Sequence, residues 1–291
     1  MKKILVTGAT GFIGNYVIKE LLDHGYEVIA SSSRKDRAAT ASWFHRVNYI
    51  PLDLKELDDR VNYFSYFTEP DALIHLAWEG LPNYKESFHL EENFPRHFSF
   101  LQNLLTHGLI DLTVTGTCLE YGMQEGCLKE EMPAKPSNQY AIAKDALRIS
   151  LEELQKNSPY HLKWVRLFYM YGDGQGLNSL FSQLDKALDN GEKIFNMSGG
   201  EQVRDFLHVE KMAEYIVTIA LQHKVTGIIN CCSGRPLTVN ELVAEHLKKK
   251  GKDILLNKGF YPYSDYEPMN FWGNNAKLKS ITDNDQMSTD G

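Results

Sequence analysis

Cysteine is scarce in this chain and falls into no pattern. Cys118, Cys127 and the adjacent Cys231 and Cys232 stand at no metal-ligand spacing, and the ten histidines are scattered. No metal is therefore expected, and the four thiols read as free groups in a reducing cytosol. Long apolar runs are missing too: none approaches the roughly 18 residues that span a bilayer. No charged-then-apolar leader precedes the first strand, so a cytoplasmic protein with no membrane partner is expected. A basic excess is also lacking. Lys and Arg total 31 against 38 Asp and Glu, a net charge of -7, which gives no footprint for nucleic acid and leaves any anionic ligand to local cations. There is no internal repeat and no low-complexity tract. What remains is 291 residues, 43% hydrophobic and 24% charged, enough for one large or two modest domains with a real core.

The informative stretch comes first. Ile4, Leu5 and Val6 form an uninterrupted apolar run, as in a parallel strand buried on both faces. Gly8, Gly11 and Gly14 then punctuate a turn, and Ile13, Val17, Leu21 and Leu22 mark one face of a helix over Asn15 to His24 that Gly25 closes. Such a helix aims free N–H groups and the positive end of its dipole at a phosphate. Gly8 permits the tight turn, Gly11 lets an anion approach, and Gly14 lets helix lie on strand. The spacing is Gly-x-x-Gly-x-x-Gly, with Ala9 after the first glycine. A glycine triplet alone is weak, but the strand and helix it requires flank it on both sides. Gly8, Thr10, Gly11, Phe12, Ile13 and Gly14 are the expected cradle for a dinucleotide.

Strand signals continue at Glu27 to Ala30, Val47 to Ile50, Ala72 to Leu76 and Leu109 to Thr115, with a helix over Glu92 to His107 carrying Phe94, Phe98, Leu101, Leu104 and Leu105 on one face. This alternation predicts an α/β fold of the Rossmann type, a doubly wound parallel sheet, followed by a smaller C-terminal α/β domain. The division expected is 1–167 for the dinucleotide-binding domain, with 206–232 returning to it, and 168–291 mainly for substrate. Ligands in such sheets sit at the carboxyl ends of the strands. Ser32, Ser33 and Arg34 follow the second strand, where an acid would hold a ribose hydroxyl and a hydroxyl-and-cation cluster suits a 2'-phosphate. NADP is therefore favoured and NAD remains possible; the alternative is a solvated basic turn. Asp53 and Leu54 are placed to meet the adenine, and Leu76, Ala77 and Trp78 to lie beside the cofactor. His75 reads as a satisfied core histidine.

A second stretch carries the chemistry. In Pro136-Ser137-Asn138-Gln139-Tyr140-Ala-Ile-Ala-Lys144, Ser137 is the expected N-cap of a helix that runs to about Gln155, so Tyr140 and Lys144 share a face at i and i+4. An ammonium beside a phenol favours the phenolate, so the spacing predicts a lowered Tyr140 pKa and a role in proton transfer. By itself, Tyr-x-x-x-Lys on a helix is usually a surface pair. The aromatic run from Phe260 to Trp272 serves either to stack a base or sugar or to pack a small domain.

Taken together, Thr7-Gly8-x-x-Gly11-x-x-Gly14, Asp53-Leu54, His75-Leu-Ala77, Thr117-x-x-x-Tyr121-Gly122, Tyr140-x-x-x-Lys144, Arg166-Leu-Phe-x-x-Tyr171-Gly172 and Arg204-Asp205-Phe206-x-His208-Val209 resemble the extended short-chain dehydrogenase/reductase family, also called the NAD-dependent epimerase/dehydratase family. The resemblance runs to about residue 250. It implies that Tyr140 is the general acid/base, that Lys144 holds the nicotinamide ribose and tunes Tyr140, and that Thr117 binds the reacting oxygen, with Thr115 competing for that part. It implies a nucleotide-diphosphate sugar as substrate, with Arg204 near its phosphates and Tyr169 and Asn178 near the sugar nucleotide. Arg204 has a structural alternative, a pair with Asp205 or Glu201. Tyr169 stands where many epimerases of the family have Asn.

Cys118 and Leu119 occupy the positions where dehydratases of the family carry an Asp-Glu pair, which disfavours dehydration. The stretch Gly116 to Met123, with Tyr140 to Arg148, looks most like reductases of 4-keto-6-deoxy sugars. A hydride transfer at C4 is thus the expected reaction, with a 4-epimerase and a catalytically silent regulatory protein as rivals. The family also implies a homodimer, paired through the Glu92 to His107 and Ser137 to Gln155 helices.

Overall fold

The apolar runs that open the chain and recur along it assemble into one seven-stranded sheet in a computed structural model that describes residues 2–289. In chain order the elements are β1 (Lys3–Thr7), α1 (Phe12–Asp23), β2 (Glu27–Ser31), α2 (Lys35–Ala39), β3 (Asn48–Tyr49), α3 (Tyr63–Tyr66), β4 (Ala72–His75), α4 (Phe94–Thr106) and β5 (Asp111–Thr117). They continue with β6 (Gly126–Leu128), α5 (Gln139–Asn157), β7 (His161–Leu167), β8 (Tyr169–Tyr171), α6 (Leu180–Asp189), β9 (Ile194–Asn196), β10 (Val203–His208) and α7 (Val209–Leu221). The last are β11 (Gly227–Cys231), β12 (Pro236–Thr238), α8 (Val239–Lys250), β13 (Leu255–Asn257), β14 (Phe271–Gly273) and α9 (Ala276–Thr289).

The large sheet runs β11-β7-β5-β4-β1-β2-β3, and every neighbouring pair in it is parallel. Strand order reverses between β1 and β4, and a crevice opens there beyond the strand ends. Alternation along β1 feeds two cores. Ile4 and Val6 pack with Val17, Ile18 and Leu21 of α1, Met212 and Ile216 of α7, and Leu278 and Ile281 of α9. Leu5 points the other way, into Phe100, Leu101 and Leu104 of α4 and Leu147 and Leu151 of α5. Helices thus cover both faces, which is why these strands read as unbroken apolar runs.

The smaller lobe carries the sheet β12-β10-β8 and the pair β13-β9 over a core of Phe181, Leu184, Phe195, Leu237 and Leu242. β11 rejoins the large sheet beside β7, and α9 packs on α7 and β11. The chain's final helix therefore returns to the large sheet as well, although the sequence division left it with the substrate lobe. Among the described residues no helix is long and apolar enough to cross a membrane.

Several boundaries move, and the shifts matter for the site. The fifth strand ends at Thr117 rather than Thr115, so both threonines lie on it. α1 starts at Phe12, not Asn15, with Gly11 as N-cap. A π-helical turn, His89–Asn93, precedes α4. α5 is capped by Asn138, not Ser137. The Asn138 side chain accepts from the Ala141 N–H at 2.9 Å, whereas the Ser137 hydroxyl donates to the Tyr266 carbonyl at 3.4 Å.

Candidate active site

Two adjoining chambers lie along the crevice, with Leu76 and Trp78 in the wall of both. The first is built on the glycine turn. Gly8 has φ +73°, and a Cβ there would come within 2.7 Å of the Ala77 nitrogen, so the ends of β1 and β4 approach too closely for any side chain. A Cβ on Gly14 would fall 2.8 Å from the Ala9 carbonyl oxygen and nearer still to that of Gly8. The N-terminus of α1 has no capping side chain, which leaves its first N–H groups free for an anion. This backbone cradle, open at a helix start, fits a dinucleotide pyrophosphate.

Around it stand Gly8, Thr10 and Gly11 from the turn, Ser32 and Ser33 after β2, Leu54, and Leu76, Ala77 and Trp78 after β4. Ile13 lines the second chamber instead, and Phe12 packs edge-on against Tyr16. Two expected contacts behave differently. Arg34 grips Asp36 through two hydrogen bonds, of 3.0 and 2.7 Å, so the cluster read as basic carries its own carboxylate. Asp53 caps the short turn Leu54–Glu56 by accepting from the Lys55 N–H at 2.9 Å; the wall there is made by Leu52, Leu54 and Lys55.

Sequence reading missed Asn93, Arg96 and His97, which line this chamber from the start of α4. Their i, i+3, i+4 spacing, beside the Phe94 and Leu101 stripe, was a usable signal. His97 closes a buried chain. The Thr7 hydroxyl meets His75 Nδ1 at 2.7 Å, and His75 Nε2 meets His97 Nδ1 at 2.7 Å. Burial pushes His75 down to about 3 and His97 well below its ordinary value, so both are neutral. His75 is, as expected, a satisfied core histidine that reaches the cofactor chamber through Thr7 and His97, both of which line it.

The second chamber holds the chemistry. Thr115, Thr117, Tyr140, Lys144, Tyr169 and Glu267 all line it. Thr117 ends β5 and caps the turn that follows. Its hydroxyl accepts from the Leu119 N–H at 3.2 Å, which leaves its proton free to donate. Behind it, Glu120 accepts from the Thr117 N–H at 2.8 Å, from Trp164 Nε1 at 3.0 Å and from Arg166 Nε at 2.7 Å. Fully buried, this network fixes the end of the strand. Thr115 instead donates to the His75 carbonyl at 3.3 Å, so Thr117 is the freer hydroxyl of the two.

Tyr140 sits in the first turn of α5 at 7% exposure, its N–H bonded to the Tyr84 carbonyl at 3.0 Å. Lys144, one turn on, donates to the Thr115 carbonyl at 2.8 Å and lies over the Trp78 ring at 4.2 Å. The predicted lowering of the Tyr140 pKa is reversed. Burial drives it up, with Tyr84 and Glu120 adding to the effect, and only the Thr117 hydroxyl pulls it down. Lys144 does not offset this burial: desolvation lowers it to about 7, against a smaller upward pull from Glu120. A dry lysine that sheds its proton near neutrality gives a phenol little positive field.

Arg204 is corrected as well. It is 5% exposed, donates to the carbonyls of Val203 and Met269 at 2.9 Å each, and pairs with Glu267 at 3.0 Å. Its guanidinium also stacks on Phe271 at 4.5 Å. The group read as a phosphate contact is spent on a carboxylate 63 positions downstream, neither Asp205 nor Glu201. In the loop before α6 Gln175 lines the chamber, while Asn178 is exposed and its carbonyl accepts from Gln183. The aromatic run divides its work: Phe271 is core, Tyr266 meets Tyr84 at 5.6 Å, and Phe260 is exposed.

Comparison with known proteins agrees with this architecture. Residues 4–232 match the profile of the NAD dependent epimerase/dehydratase family. The chain is 32% identical over 275 residues to a dTDP-6-deoxy-L-talose 4-dehydrogenase (NAD(+)) of Aggregatibacter actinomycetemcomitans, covering 93% of this chain and 98% of the relative. In fold it is similar to UDP-glucuronic acid 4-epimerase from Bacillus cereus, solved with UDP-glucuronic acid and NAD, at TM-score 0.83 and 22% identity over 96% of this chain and 92% of the other. It is similar, too, to UDP-N-acetylglucosamine 4-epimerase from Methanobrevibacter ruminantium M1, at TM-score 0.80 and 20% identity over 97% and 92%.

Proposed function

Because the chain belongs to the NAD dependent epimerase/dehydratase family, we propose that it is a nicotinamide-dependent oxidoreductase acting at C4 of a nucleotide-diphosphate 4-keto-6-deoxy sugar. The observation that carries this reading is the convergence of Thr117, Tyr140 and Lys144 on one chamber that adjoins the glycine cradle across Trp78. The 32% identical relative is named for a 4-dehydrogenase reaction on a 6-deoxy sugar, and Cys118 and Leu119 stand where a dehydratase would need an acid and a base.

When bound, the dinucleotide supplies or takes the hydride. The chain's own groups do the rest. Gly8, Gly11 and the start of α1 hold the pyrophosphate. The Thr117 hydroxyl donates to the sugar oxygen at C4 and fixes it beside Tyr140. Tyr140 Oη gives that oxygen its proton on reduction and takes it back on oxidation. Lys144, held beside Tyr140 by the Thr115 carbonyl, steadies the ribose through its Nζ. The aromatic walls exclude water, which strengthens each of these interactions.

The cofactor in this reading is NAD. The Arg34 guanidinium expected to meet a 2'-phosphate is neutralised by Asp36, and the relative is named as NAD(+)-dependent. A homodimer belongs to the same reading, and a monomeric sedimentation profile at micromolar concentration would refute it.

The test is direct. Purified protein mixed with dTDP-4-keto-6-deoxyglucose and NADH should consume NADH, and Tyr140→Phe should slow turnover on the order of 100-fold or more. Intact turnover in Tyr140→Phe would overturn the assignment of the acid. A 4-epimerase would instead retain its dinucleotide through purification and turn over nucleotide hexoses with none added.

A further inference from the structure

We propose that Glu267 makes the second chamber selective for an uncharged sugar ring and excludes nucleotide sugars whose hexose carries a carboxylate. This rests on the nucleotide-sugar reading above and adds the chemical class of the ring. Glu267 reaches the chamber from the loop before β14 and lines it together with Thr117 and Tyr140. Its cationic partner stands behind it. Arg204 is 6% exposed in its side chain, bonded to two carbonyls and stacked on Phe271, and holds Glu267 Oε2 at 3.0 Å. The guanidinium thus orients the carboxylate without itself meeting the chamber.

The other charged group on these walls, Lys144, is tied to the Thr115 carbonyl and the Trp78 face. Beside Glu267 lies the buried Tyr169 hydroxyl, which finds no well-formed hydrogen bond among the described residues, while burial first and the nearby Glu267 carboxylate second hold its proton on. An orphaned buried hydroxyl is costly. One ring hydroxyl satisfies both groups, donating to Glu267 and accepting from Tyr169. A ring carboxylate can accept from Tyr169 but has no proton for Glu267, and it brings a second negative charge into a poorly solvated space.

The experiment compares, by calorimetric titration of the NAD-loaded protein, UDP-glucose with UDP-glucuronic acid and the dTDP counterparts of both. The neutral sugar should bind roughly tenfold or more tightly than the uronic acid of the same base. Glu267→Gln keeps the shape and the acceptor for Arg204 but removes the charge, and should narrow the gap to about threefold or less. Tyr169→Phe should weaken the neutral sugar by roughly three- to tenfold, the worth of one ordinary hydrogen bond. Equal binding of the two sugars by the unaltered protein, or an undiminished gap in Glu267→Gln, would overturn the inference. Failure of all four ligands to bind would overturn the nucleotide-sugar reading itself. The comparison in the unaltered protein needs no variant to fold.

Discussion

Lys144 offers a sharp test of the site, because its burial has a thermodynamic signature that depends on pH. The residue is 1% exposed, and desolvation lowers its pKa from 10.5 to about 7. The unfolded chain therefore holds a proton that the folded chain sheds between those two values. The resulting penalty is fully present below pH 7 and is relieved as pH rises toward 10.5, at ~1.36 kcal/mol per pH unit. For those two pKa values it is about 4 kcal/mol at pH 7 and about 2 kcal/mol at pH 9.

Lys144→Met removes this titration and also removes the hydrogen bond to Thr115 and the contact with Trp78, which together are worth about 2 to 5 kcal/mol. At pH 7 the variant should consequently be close to the unaltered protein in stability. At pH 9 it should be less stable by about 2 kcal/mol more than at pH 7. Urea unfolding of both proteins at the two pH values, with thiols kept reduced, measures this. A difference that stays constant within ~0.5 kcal/mol would mean that the folded lysine titrates normally. The account of Lys144 as a desolvated amine that gives Tyr140 little positive field would then fail.

Gly14→Ala should abolish dinucleotide binding or folding, since its Cβ meets two backbone oxygens that cannot yield; unchanged NADH affinity by calorimetry would contradict the close packing of α1 on β1. His75, held at about 3 by burial, stays neutral in the folded state. It therefore contributes stability that is complete above pH 6.5 and lost as pH falls toward 3. Its imidazole resonances should not titrate above pH 5, and a midpoint near 6.5 would refute the buried relay with Thr7 and His97. Glu120→Ala leaves Arg166 buried without its partner and should cost about 3 to 5 kcal/mol, lowering Tm by roughly ten degrees. Glu214→Ala, which breaks an exposed pair with Lys211, should cost less than about 1 kcal/mol. Equal losses in the two variants would refute the structural weight given to the Glu120 network.

What the sequence made legible was whatever depends on neighbours along the chain. The apolar run Ile4 to Val6, the glycines at 8, 11 and 14, and the one-turn spacing of Tyr140 and Lys144 each announce their local geometry, and resemblance supplied Thr117. Contacts between distant segments stayed hidden. Arg204 looked free for a phosphate because its partner, Glu267, lies 63 residues away on another loop. The Tyr140 pKa was misjudged because proximity to a cation is visible in spacing, whereas burial of the phenol, and of that cation under Trp78 and β5, is not. Ser137 and Asn138 are equally good caps on paper, and the tertiary bond from Ser137 to Tyr266 decides between them.

Trp78 has a practical consequence. Its indole borders both chambers, stacks on His97 at 4.6 Å and carries the Lys144 ammonium over its face at 4.2 Å. Trp43 and Trp164 are locked elsewhere, by Asn15 and Glu120, and Trp272 lies on β14. The molecule thus has a built-in optical gauge at the partition between its two compartments. A reduced nicotinamide arriving on one side would drain its emission by energy transfer, and a guest on the other would shift its wavelength. Arrival of cofactor and of sugar can therefore be followed through indole emission, without a label and without turnover.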